Sequence, residues 1–242
     1  WLAMLAALVA GMAAGLLTGV FHTFMGIPAI LAGILTQLIL WSVNLKILGK
    51  ANQALPARNF YVLVTQLKKT QTLLILAVVS IVLIAVLYWF FGTELGSSIR
   101  STGCNISMSR AQGINTDFNK ILGLMLSNGI VALAGALLAQ YQGSADINMG
   151  RGAIVIGLAA VIIGEAVFSR ISRNFIVRLL GVICGGIIYY IVYQTVIFFG
   201  LDTDLLKMLS ALVVAFFLAV PYWKGKYISS GRRKGDGGNA GA

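Results

Sequence analysis

Seven nearly unbroken apolar stretches dominate this chain: residues 2–20, 27–48, 72–91, 121–141 and 175–199, with shorter ones at 152–168 and 205–222. A helix needs about 20 such residues to cross the hydrocarbon core of a bilayer, and there the backbone must satisfy its own hydrogen bonds. The first five runs reach that length, and 152–168 lies near its lower limit. The expected fold is an all-α integral membrane bundle of about seven hydrophobic segments, forming one domain over residues 1–223. The chain opens at Trp1 with apolar sequence at once. A longer protein is therefore expected, with N-terminal residues preceding this start, whole spans included.

Composition agrees with this reading. Charged residues make up only 10% of the chain, against about 25% in an ordinary soluble domain. So few charges cannot cover a surface with water, and lipid must serve as part of the solvent. The net charge of +11 raises the question of nucleic acid. The Lys and Arg residues, however, sit in short segments between apolar runs and form no basic stripe interleaved with aromatics. No nucleic-acid partner is expected. Cys104 lies in a polar connection and Cys184 inside an apolar run, which implies neither a disulfide framework nor a metal site. His22 is the single histidine, so a histidine-based metal cluster is excluded.

Charge also orients the chain. The tail 224–242 carries Lys224, Lys226, Arg232, Arg233 and Lys234 and then becomes glycine-rich. It is expected to be disordered and cytoplasmic. Arg170, Arg173 and Arg178 belong on the same side, while Asp202 and Asp204 mark an external turn. Counting back places the connection 92–120 in the cytoplasm and 49–71 outside. The second placement strains the rule, because Lys50, Arg58, Lys68 and Lys69 face no acid there. Either 152–168 is re-entrant and the count shifts by one, or those cations have a task outside.

Small residues predict close helix packing. Gly11, Gly15 and Gly19 recur every four residues, as do Gly181 and Gly185. Such faces let helix backbones approach until dispersion and weak hydrogen bonds hold them. Pro28 opens a span, where its missing N–H costs nothing.

The connection 92–120 is too polar to span, yet it carries helical patterning. Leu95 and Ile99 share a face at i, i+4, and Gly103 is expected to stop that helix in a left-handed conformation. Asn105 can cap a second short helix, ended by Gly113, and Asn115 or Thr116 can cap the next span. A structured connection of this length is usually functional. Its sparse charge suits docking into a groove on another protein, with Arg100 and Arg110 as forked anchors; interfacial packing is the plainer alternative.

The run Arg100-Ser101-Thr102-Gly103-Cys104-Asn105, followed by Arg110-Ala111-Gln112-Gly113-Ile114-Asn115, resembles the coupling region of bacterial ABC-importer permeases. Specifically, it resembles the family serving branched-chain amino acids, ribose and related solutes. Leu126-Ser127-Asn128-Gly129 with the apolar run to Gln140, Asp146-Ile147-Asn148-Met149-Gly150, and Ile156-Gly157 through Gly164-Glu165 continue the likeness. Within the family the chain is most similar to permeases for amino-acid uptake, tryptophan and tyrosine systems among them. Likeness is dense from Gly96 to Glu165 and looser elsewhere, and Arg151 departs from the pattern. The resemblance implies a permease dimer, most simply a homodimer, in a bacterial cytoplasmic membrane. It further implies two ATP-binding subunits inside and a solute-binding (lipo)protein outside. ATP and Mg would belong to the ATP-binding partner, since this chain has no GxxxxGK[ST] loop and no cofactor of its own is expected. On this resemblance Leu95, Gly96, Ile99, Arg100, Gly103, Asn105, Arg110, Ala111, Gly113 and Asn115 couple the permease to the ATPase.

Polar groups inside apolar runs are costly and tend to face a pathway or another helix. Gln37, Trp41 and Asn44 share a helical face that can line a solute route, with Trp41 as a stacking surface; interhelical hydrogen bonding is the alternative. Asn128 and Gln140 carry the same two readings. Asp146 and Asn148, with Gln142, fall in an external polar turn, where Asp146 either meets a solute ammonium group or caps the following helix. Glu165 is expected to pair with Arg170 or Arg173 rather than to couple protons. Arg58, Lys68 and Lys69 suit docking of an acidic binding-protein surface, or lysines that snorkel to headgroups.

An amino-acid importer permease is the leading reading, and a sugar or nucleoside permease of the same type stands behind it. A secondary carrier or channel needs an ion-coupling acid or a pore ring, for which Glu165 alone is weak material. A membrane enzyme needs a nucleophile–base pair, paired acids or metal-ligand spacing, none of which the sequence offers.

Overall fold

The computed structural model describes residues 2–55, 64, 69–150, 153–168, 175–198, 208 and 215. Its elements in chain order are α1 (Leu2–Thr23), α2 (Ala29–Leu48), β1 (Asn52–Ala54), α3 (Lys69–Gly92), α4 (Glu94–Cys104), α5 (Ile106–Ala111), α6 (Thr116–Gln142), β2 (Ser144–Asp146), α7 (Ala153–Phe168) and α8 (Phe175–Phe198). Among the described residues five helices are long and apolar enough to cross a membrane: α1, α2, α3, α6 and α8. They coincide with the five long runs of the sequence. The 16-residue α7 is the short apolar segment expected at 152–168. The run 205–222 and the tail lie outside the described residues, apart from helical Met208 and Ala215.

The chain divides into two compact units, Trp1–Gly150 and Arg151–Ala242. In the first, the glycine stripe of α1 lies against α6. A Cβ added at Gly11 would stand 2.6 Å from the Asn128 carbonyl oxygen, one at Gly15 2.6 Å from the Met125 Cα, and one at Gly19 3.1 Å from the Ile121 Cα. Residue numbers rise on α1 as they fall on α6, so the two helices are antiparallel. Bare backbone is what permits this approach, as the spacing predicts. The other unit repeats the device: a Cβ at Gly185 would come within 2.7 Å of the Gly164 amide nitrogen, and one at Gly164 within 3.0 Å of that of Val182. Ala159, Ile163 and Tyr189 form the buried centre of this α7–α8 pair.

A tight turn joins α1 to α2. Gly26 adopts φ +65°, the His22 ring nitrogen Nδ1 lies 2.8 Å from the Ile27 carbonyl oxygen, and Pro28 occupies the position before α2. Farther along the pair, the Thr18 hydroxyl donates to that of Thr36 at 2.9 Å, both residues being buried. At its far end α2 stops on left-handed Gly49. β1 follows and pairs antiparallel with β2, Asn52 opposite Asp146 and Ala54 opposite Ser144. The connections after α2 and after α6 are thus stitched together at one end of the unit. The helices α4 and α5 lie at the opposite end, between the C-terminus of α3 and the N-terminus of α6. The chain around β1 and the chain around β2 therefore share a side, as the span count requires, and 92–120 occupies the other.

Candidate coupling site

The site is the path from the end of α3 to the start of α6, and local chemistry dictates each bend. Thr93 caps α4: its hydroxyl accepts from the Gly96 N–H at 3.3 Å and donates to the Phe90 carbonyl at 2.6 Å. Glu94 places a negative charge in the first turn of α4, where the helix dipole favours it. The chain then folds back on itself so tightly that a Cβ at Gly96 would stand 2.5 Å from the Phe91 Cα. Only glycine fits there.

The expected left-handed stop at Gly103 is not formed. Gly103 lies within α4 and is absent from the positive-φ residues, which are Gly26, Gly49, Gly113 and Gly143 among those described. Instead Asn105 carries the joint. At φ −155° its own N–H closes α4 on the Ser101 carbonyl, while its side chain opens α5 by accepting from the Met108 N–H at 3.1 Å. One residue serves both ends because asparagine offers an acceptor in extended backbone. Gly113, at φ +79°, ends the second helix as expected, and Asn115 caps α6 by accepting from the Phe118 N–H at 3.1 Å.

Three side-chain ties knit these helices together. Asn119, near the start of α6, donates to Ser98 Oγ at 2.7 Å and to Thr102 Oγ1 at 2.9 Å. The Ser101 and Ser109 hydroxyls, 2.8 Å apart, join α4 to α5. Arg110 Nε donates to Thr116 Oγ1 at 2.9 Å, and its guanidinium stands 3.5 Å from Asp117, which also meets Lys120 at 3.2 Å. Thr102, Ser109, Thr116 and Asn119 are all buried. A buried, well-bonded polar network costs heavily to break and so fixes one geometry. Ile99 adds an apolar contact, its Cγ2 3.7 Å from where a Gly123 Cβ would be.

Other side chains of the connection stay exposed. Leu95 is 53% exposed, Ile106 44% and Met108 58%. Arg100, Gly103, Cys104 and Ala111 are exposed beside them. Apolar side chains on a short polar connection between spans form a patch suited to another protein. Arg110, expected as an anchor, also reaches the first turn of α6 through Nε and one terminal nitrogen, while its side chain stays 60% exposed. Sequence reasoning missed Asn119, Ser98, Thr102 and the serine pair. The available signal was the hydroxyl pair at i, i+4 in α4, Ser98 and Thr102, which an incoming donor explains.

The expected solute-pathway residues fall on α2, on α6 and in the turn at β2. Gln37, Trp41 and Asn44 share an exposed face of α2. Asn128 faces α1 through its backbone, and its side chain donates within α6 to the Leu124 carbonyl at 2.9 Å, not to another helix. Gln140 is half-buried near the end of α6. Asp146 closes a turn by accepting from the Asn148 N–H at 2.7 Å, where a helix cap was the alternative. A hollow of about 420 Å³ between α3 and α6 is lined mainly by apolar side chains, Leu76, Val79, Leu83, Leu133 and Leu137 among them, and by none of the predicted pathway residues. Arg58 and Lys68 lie outside the described residues, as does the side chain of Lys69, whose backbone begins α3. Arg170 and Arg173, the expected partners of Glu165, lie outside them too.

Residues 1–218 match the family described as branched-chain amino acid transport system, permease component. A tyrosine transport system permease protein of Clostridioides difficile is 40% identical over 218 residues, which cover 90% of this chain and 72% of that protein. An uncharacterized protein of Rickettsia prowazekii is 31% identical over 219 residues, covering 90% of this chain and 78% of its own length. An autoinducer 2 import system permease protein of Yersinia pestis is 30% identical over 165 residues, 65% of this chain and 45% of that protein. No solved structure matches. With its family match running through every described helix and five helices able to cross a bilayer, the chain is a multi-pass membrane protein that belongs to the branched-chain amino acid transport system permease family.

Proposed function

We propose that this chain is the membrane subunit of an ATP-driven importer that passes an amino acid, aromatic by preference, from an external binding protein to the cytoplasm. The observation that carries the proposal is the α4–α5 connection, which is bonded to α6 and also bears exposed Leu95, Ile106 and Met108. In this reading a separate ATP-binding subunit, holding ATP and Mg, seats that patch in a groove. Closure of two such subunits around ATP pushes on α4 and α5, and α6 carries the displacement into the membrane. Two copies of the permease complete the assembly, and Arg58, Lys68 and Lys69 receive the binding protein. The choice of solute is supported by the tyrosine transport relative, which is more similar over a longer stretch than the autoinducer 2 relative.

The test is purification of the intact transporter with its native operon partners, followed by reconstitution. An ATP-binding subunit should co-purify, and its ATPase activity should rise with binding protein loaded with tyrosine but not with ribose. Purification without any nucleotide-hydrolysing partner contradicts the importer. Stimulation by ribose alone contradicts the amino-acid assignment and leaves the importer standing.

A further inference from the structure

Among the side-chain ties between the α4–α5 connection and α6, the one through Asn119 is both buried and double, whereas the Arg110 Nε–Thr116 bond is single. The Arg110–Asp117 pair is exposed, at 60% and 53% of the two side chains, and solvent screens such pairs to little net effect. Asn119, by contrast, is only 4% exposed and spends its side-chain amide on two acceptors of α4. Those acceptors, Ser98 and Thr102, stand one helical turn apart. A single bond would act as a pivot, whereas two bonds on successive turns fix the rotation of α4 as well as its distance from α6. Thr102 is itself aimed: its hydroxyl donates to the Ser98 carbonyl at 2.9 Å, which leaves its lone pairs for Asn119.

We infer that Asn119 is a positioning residue for energy coupling: it clamps α4 to α6 so that a push on the α4–α5 face moves the span instead of being lost at the Gly92–Thr93 bend. The inference rests on the coupling role proposed above. Its consequence is specific. Loosening the clamp leaves the docking face and the ATPase intact but separates hydrolysis from transport.

The experiment reconstitutes the complete transporter in liposomes and reads solute delivered per ATP hydrolysed. Asn119→Ala should retain the ATP-binding subunit and its hydrolysis while the ratio falls about tenfold, within the usual range of coupling between sites. Thr102→Val, which keeps the shape and removes the acceptor, should lower the ratio in the same direction, and Thr102→Ser should keep it. The double variant should be no worse than Asn119→Ala alone, because that substitution already removes the bond that Thr102→Val removes. An unchanged ratio in assembled Asn119→Ala and Thr102→Val complexes overturns the inference. So does a parallel loss of transport and hydrolysis at constant ratio, the signature of a purely structural residue. If Asn119→Ala does not assemble, the Thr102→Val and Thr102→Ser pair decides by the same ratio. A wild-type protein that retains no ATP-binding subunit overturns the coupling reading itself, a result separate from either of these.

Discussion

At the scale of single residues, the connection between α3 and α6 is a series of caps. Replacing Asn115 with Ala removes the acceptor at the start of α6 and should cost about 1 kcal/mol, seen as a lower thermal midpoint of the purified protein. Gly113→Ala should also destabilise, by roughly 1–2 kcal/mol, since φ +79° is strained for any residue with a Cβ. Gly103→Ala should do the reverse, stabilising by up to about 1 kcal/mol, because that glycine sits inside a helix with nothing within 4 Å of its would-be Cβ. Asn105, Gly113 and Asn115 are legible in the sequence because a cap is decided by its own few neighbours. Gly103 misleads for the same reason: a glycine in a polar stretch permits a left-handed stop, and only the Asn105 cap two residues later shows that the helix runs on. Gly96 has a place in a motif, but its necessity depends on α4 doubling back over Phe91, which no local rule announces.

Between elements, the molecule relies on backbone proximity more than on a patterned core. Lipid-facing and buried positions are equally apolar here, so hydrophobic periodicity says which segments are helices but not which faces meet. Glycine spacing does better. It identifies the contact face of α1 and that of α8, yet their partners, α6 and α7, come only with the fold. Gly15→Leu should drive α1 from α6 and destabilise by several times the effect of an open site, on the order of 1–3 kcal/mol or more. Gly33→Leu on α2, where nothing lies within 4 Å, should be close to neutral. Thermal midpoints in detergent, compared side by side, check the pair. The Thr18–Thr36 bond has no sequence signal, because a threonine inside an apolar run bonds its own helix as readily as another; Thr36 does both here, donating to the Ala32 carbonyl while accepting from Thr18.

On the scale of the whole molecule, the account depends on the two ends of the Trp1–Gly150 unit lying on opposite sides of a membrane. β1 and β2 tie one end together, and α4 with α5 fold over the other. A natural reporter stands at the second end. Cys104 is exposed at the close of α4, and Cys184 is the only other cysteine. In a Cys184→Ala background, a membrane-impermeant maleimide should modify Cys104 in inverted vesicles and leave it untouched in intact cells. Labelling of Cys104 from outside the cell would put the α4–α5 face beyond reach of any cytoplasmic ATPase and contradict the importer directly.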